Sequence, residues 1–176
     1  MAEQTRPRPR PRPPASRVDL VGIYLNDHLA AATGGVELFK RAARSLQGTP
    51  VGAALERMAV EINEDRETLQ GVMRTLAVPE RQYKVYAAWA AEKAGRLKPN
   101  GHLRSRSPLS TLLELEAMLV GVTGKSALWR TLAALAQTDE RLDGGRFAAL
   151  QDRARQQANT LEDLRVQAAA EVIAAT

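Results

Sequence analysis

The side chains with chemical potential are few, and they fall at helical spacing among apolar neighbours. His28 lies beside Leu25, Leu29 and Ala32, Asp65 lies between Ile62 and Leu69, and Glu116 lies between Leu112/Leu113 and Leu119/Val120. An imidazole and carboxylates on buried helix faces could ligate a divalent metal or exchange a proton near neutral pH. With Glu61 one turn before Asp65, the set His28, Glu61, Asp65 and Glu116 would be the ligands of a divergent carboxylate-bound metal centre. A buried charge needs a partner. Across a turn near residues 48–49, Asp65 faces about position 32 and His28 about position 69. The two are one helical turn apart, so an ion pair or water-bridged contact that fixes helix register is expected. Glu61, Glu64 and Glu67 otherwise read as a solvated face, as do Asp152, Glu162 and Asp163.

Other chemistries lack their residues. The 176-residue chain has no cysteine and two histidines, which excludes thiolate nucleophiles, disulfides, Cys-bound zinc and iron–sulfur clusters. Gly121-Val122-Thr123-Gly124-Lys125-Ser126 ends like a phosphate-binding loop, but the first glycine is missing at the required spacing and the segment falls mid-helix. Ser45, Ser107 and Ser110 have no histidine or nucleophile-elbow context. No catalytic residue and no cofactor is expected.

Composition is that of an ordinary globular chain, 44% hydrophobic and 26% charged. The net charge of +5 is unevenly placed. Residues 1–17 carry five arginines and one glutamate, residues 81–106 carry seven lysines and arginines and one glutamate, and the remainder has more acids than bases. The pI near 10 therefore belongs to two segments. In the first, alternating prolines hold Arg6, Arg8, Arg10 and Arg12 in an extended cationic tail that can form neither helix nor sheet. The second interleaves Lys84, Lys93, Arg96, Lys98, Arg104 and Arg106 with Tyr83, Tyr86 and Trp89. Together they form a candidate contact for nucleic acid or an anionic surface, independent of base sequence and weakened by salt. The alternative is that the aromatic residues dock a crossover helix onto the body while the cations face water. The tail could also reach the acidic surface of a second copy, giving a homo-oligomer. No run of signal or membrane-spanning length occurs, and with the lack of cysteine this points to the cytoplasm.

The elements that must position these residues are helices. One stripe runs Val21, Leu25, Leu29, Ala32, Val36, Phe39, Ala43 and Leu46 and ends at Gly48. Thr49 stands as N-cap and Pro50 at the first position of a second helix, whose stripe runs from Val51 through Leu55, Met58, Ile62, Leu69 and Val72 to Leu76 before Pro79. So short a turn predicts an antiparallel hairpin. A shorter helix is predicted over Tyr83 to Lys98. Ser107-Pro108 then opens a third long helix, with Leu109, Leu112, Leu113, Leu119, Val120, Ala127 and Leu135 inward, to about Gln137. After Asp143-Gly144-Gly145, a fourth carries Phe147, Leu150, Ala154, Leu161, Leu164, Ala168 and Val172. No alternating β-branched segment appears. Leu25-x3-Leu29-x3-Thr33-Gly34-x3-Leu38-Phe39-Lys40 matches Leu115-x3-Leu119-x3-Thr123-Gly124-x3-Leu128-Trp129-Arg130 at an offset of 90 residues. The match predicts that Gly34 and Gly124 let two related helices approach closely.

The expected fold is an all-α four-helix bundle over 18–176, made of two antiparallel hairpins joined by a long crossover with its own short helix, behind a disordered tail over 1–17. That layout resembles the ferritin-like superfamily. The superfamily's di-iron site needs Glu-x-x-His, which the resemblance would put on two helices. Here Leu25 precedes His28 and Pro99 precedes His102 at that spacing, and the fourth helix offers Gln157 in place of an inward acid. The resemblance thus implies a bundle whose metal site has been lost. The chain also resembles Ala/Arg-rich proteins of high-GC bacterial genomes, a likeness that implies no activity. The function expected is a non-catalytic structural or interaction role.

Overall fold

The computed structural model describes residues 17–81 and 108–174. All regular structure among them is helical: α1 (Arg17–Ser45), α2 (Pro50–Thr75), α3 (Pro108–Leu135) and α4 (Gly144–Ala174). The Arg-Pro tail, the predicted helix over Tyr83–Lys98 and Ser107 lie outside the described residues. None of the described helices is long and apolar enough to cross a membrane.

The α1–α2 connection forms as its residues dictate. Gly48 takes the left-handed conformation, φ 82°, which glycine adopts without steric penalty. The Thr49 hydroxyl accepts from the Gly52 amide at 3.0 Å, satisfying one of the amide donors that a helix start leaves orphaned. Pro50 lacks an N–H where none is needed. A Cβ at Gly52 would collide with the Leu46 carbonyl, so the turn closes this tightly only with glycine there. The close approach expected at the Thr-Gly repeat is absent from Gly124, where an added Cβ would meet nothing within 4 Å.

α2 ends in a Schellman motif. The Val78 amide donates to the Met73 carbonyl at 2.9 Å and the Ala77 amide to the Arg74 carbonyl at 3.1 Å, with Ala77 at φ 55°. Val78 is thereby buried, and the chain beyond it is fastened to α1 by Asn26. The Asn26 side-chain nitrogen donates to the Gly22 carbonyl at 2.7 Å and the Pro79 carbonyl at 3.2 Å. Its oxygen accepts from the Arg81 amide at 2.8 Å.

The helices bury one continuous core. α1 packs on α2 and α3 on α4 extensively, while α1–α3 and α2–α4 share less contact. Tyr24, early in α1, donates to Thr131, late in α3, at 3.2 Å; Arg41, late in α1, pairs with Glu114, early in α3, at 3.5 Å. α1 and α3 therefore run in opposite directions. Arg146 reaches Thr68 and Arg153 reaches Glu64, so α2 and α4 do too.

The expected inward residues of α1, α2 and α4 are largely those buried, among them Leu25, Phe39, Leu55, Ile62, Leu69, Phe147 and Leu161. α3 differs. Its buried face is Leu115, Met118, Val122, Trp129 and Leu132, whereas Val120, placed inward by the sequence reading, is 74% exposed. Apolar residues occur around most of this helix, so spacing alone does not choose the face that meets both α1 and α4.

Candidate functional site: a buried charge cluster beside a cavity

The buried faces of three helices follow a three-four spacing, and each is interrupted once by a polar residue. α2 presents Met58, Ile62, Asp65, Leu69 and Val72; α4 presents Phe147, Leu150, Ala154, Gln157 and Leu161. On α3, Lys125 stands at the same spacing between Val122 and Trp129. Asp65 is 2% exposed and Gln157 4%, and the Lys125 side chain is 11% exposed.

These interruptions meet. The Lys125 ammonium donates to Asp65 Oδ2, and to Gln157 Oε1 at 2.5 Å. Arg153 of α4 donates to Asp65 Oδ1, and to Glu64 Oε2 at 3.0 Å. Gln157 in turn donates to Glu61 Oε2 at 2.6 Å. The resulting chain of bonds runs Glu64, Arg153, Asp65, Lys125, Gln157, Glu61 across α2, α3 and α4. Both oxygens of the buried carboxylate are taken by cations. Burial pulls the Lys125 ammonium below the ordinary lysine range; Asp65 opposes that shift, and Arg153 adds repulsion. Burial also works against the Arg153 charge, but its bonds to Asp65 and Glu64 outweigh this and hold the guanidinium above its ordinary value.

Beside the cluster lies a cavity of about 80 Å³ between α1, α2 and α3. Its floor includes Asp65 and Lys125, and Arg66 and Trp129 also line it. The walls are small or apolar, with Gly35 on α1 and Gly121 on α3. His28 stands on the same cavity, its ring edge-on to Tyr24 with centroids 4.6 Å apart. Burial pushes the His28 imidazole below its usual value against the opposing charge of Asp27.

Of the four candidate ligands, Glu61 and Asp65 enter one network and His28 joins the same cavity. The expected His28–Asp65 pair does not form; the carboxylate oxygens accept instead from Lys125 and Arg153. Glu116 is separate. It lies close enough to Arg165 to attract that guanidinium, although the bonded Glu162 is its main partner. Among the described residues, no three histidine, aspartate or glutamate side chains stand close enough together to hold a metal ion. Glu61 also departs from the expected solvated face, being half-buried and bonded to Gln157.

Lys125, Arg153 and Arg66 were not among the sequence candidates. The signal for Lys125 was present in the spacing Leu115, Met118, Val122, Lys125, Trp129, Leu132, which places it on an otherwise apolar stripe. The candidate polyanion contacts Arg6, Arg8, Arg10, Arg12, Lys84, Lys93, Arg96, Lys98, Arg104 and Arg106 lie outside the described residues. No model of a known protein family matches this chain, and no curated protein does either.

Proposed function

We propose that this chain is a non-catalytic helical-bundle protein of ferritin-like layout that acts by binding, as a structural or interaction component. The observation that carries this reading is Asp65. A metal-binding bundle keeps its buried carboxylates free to neutralise a cation from solution. Here the buried carboxylate is neutralised by Lys125 and Arg153 of the same chain. A metal entering would meet an ammonium and a guanidinium first.

The layout is supported by helix direction. α1 opposes both α2 and α3, which makes α2 and α3 parallel. The end of α2 and the start of α3 are then a helix length apart, about 42 Å for the 28 residues of α3. The 32 residues between Thr75 and Pro108 span that with room for a short helix. A connection of that length between two helix pairs is what the ferritin-like layout requires.

The test is metal analysis of protein purified without an affinity-tag metal and then incubated with iron, manganese or zinc. Substoichiometric metal after desalting is expected. One full equivalent of any of the three overturns the reading.

A further inference from the structure

Two residues that line the cavity between α1, α2 and α3 carry buried side-chain N–H groups with no acceptor among the described residues. Among the described residues, three buried side-chain nitrogens lack a partner: Arg66 Nε, Trp129 Nε1 and Arg153 Nε. Two of the three belong to residues lining this cavity. Trp129 is 1% exposed, and a buried N–H without an acceptor is costly to retain. Arg66 forms no ion pair with any described residue, although its neighbour Asp65 carries two. Lys125 uses two of its three ammonium hydrogens, on Asp65 and Gln157. The surplus on this surface is of donors and positive charge.

The walls give the second half of the argument. A Cβ at Gly35 or at Gly121 would meet nothing within 4 Å, so close packing does not require either glycine. Each sits mid-helix, where glycine is about 1 kcal/mol less favourable than alanine. Both border the cavity, and the space that larger side chains would take is left open.

We propose that this cavity binds a small carboxylate with a short apolar tail, its oxygens accepting from Arg66 and Trp129 and its tail lying against α1 and α3. A dry cavity that admits benzene measures about 150 Å³. At about 80 Å³ this one holds the head and a few carbons, and the tail extends past Gly35 and Gly121 toward solvent. Arg66 supplies the charge-assisted bond that distinguishes a carboxylate from a neutral acceptor. This inference rests on the binding role proposed above.

The probe is hexanoate, titrated into the full chain and followed by calorimetry and by the tryptophan indole N–H signals in a ¹⁵N spectrum, with Trp129→Phe used to assign them. Saturable binding that moves the Trp129 signal is expected, with hexanol binding about tenfold more weakly. Arg66→Gln should weaken hexanoate by about the same factor and leave hexanol unchanged. Gly121→Leu, which fills the wall, should weaken both probes while helix content stays intact. Absence of saturable binding, equal binding of hexanol and hexanoate, or binding indifferent to Gly121→Leu overturns the proposal. Metal uptake is read separately: metal without hexanoate binding defeats both readings, metal with hexanoate binding defeats only the metal-free one, and neither metal nor hexanoate defeats only the carboxylate site.

Discussion

Asp65 on α2 and Lys125 on α3 meet at one level of the bundle, each at the position where its helix's apolar repeat would otherwise supply an aliphatic side chain. Replacing Asp65 alone strands Lys125 in the core and removes one of Arg153's two acidic partners. Asp65→Ala should therefore destabilise the fold by about 3–5 kcal/mol. The double change Asp65→Leu with Lys125→Met removes both charges together and should come much closer to the parent, since a well-packed apolar pair often equals a buried ion pair. Urea unfolding of the two variants checks this. A double variant no better than the single one would show that the pair does more than compensate itself.

The pH dependence of stability follows from His28. Its folded pKa lies below the ordinary 6.5, so on acidification the unfolded chain takes up a proton before the folded one does. Stability should fall as the pH drops through 6.5 and level off below the folded value. His28→Gln should flatten that decline between pH 7 and 5, as read from urea midpoints across that range.

Four glycine or glycine-like positions should respond differently. Gly35→Ala and Gly121→Ala each add a methyl group in open space and should stabilise by about 1 kcal/mol through helix propensity. Ala77→Gly should also stabilise, by about 1 kcal/mol, because φ 55° is unfavourable for alanine. Gly52→Ala should do the reverse, since its methyl group would strike the Leu46 carbonyl. Thermal melts of the four variants distinguish these signs.

Asn26 ties the chain beyond α2 to α1. Asn26→Leu leaves the Arg81 amide and the Pro79 carbonyl without their bonds and should cost about 1–3 kcal/mol. Trypsin should cut after Arg81 faster in this variant than in the parent. Unchanged cleavage would show that the tie does not hold this stretch.

The bundle's helices were legible because their signals are local. Thr49-Pro50 caps α2 as its residues require, and the stripes of α1, α2 and α4 name most of what is buried. Asp65 was legible as an inward charge for the same reason. Its partner was not. The sequence places His28 opposite on α1, but a lysine on α3 and an arginine on α4 reach the carboxylate from the other pair of helices. How the two helix pairs register is set by contacts 60 and 88 residues apart, which no local spacing encodes. Lys125 was also hidden by its own setting: in Gly124-Lys125-Ser126 it reads as the end of an incomplete phosphate loop, while its place on the apolar stripe shows only once α3's buried face is known. The cavity was illegible because it arises where side chains are missing.

The uneven sharing of contact among the four helices has a kinetic consequence. Most contact lies within α1–α2 and within α3–α4, between residues close in sequence, and such contacts form early. Docking one preformed pair on the other must close a much longer loop before Asp65 meets Lys125 or Arg153. A pair docked one helical turn out of place would strip these charges of water and give them aliphatic neighbours instead. Such an encounter has little to hold it and separates again. Burial of these charges is compensated only in the docking that brings Lys125 and Arg153 to Asp65, so the cluster favours one register of the two helix pairs over its neighbours.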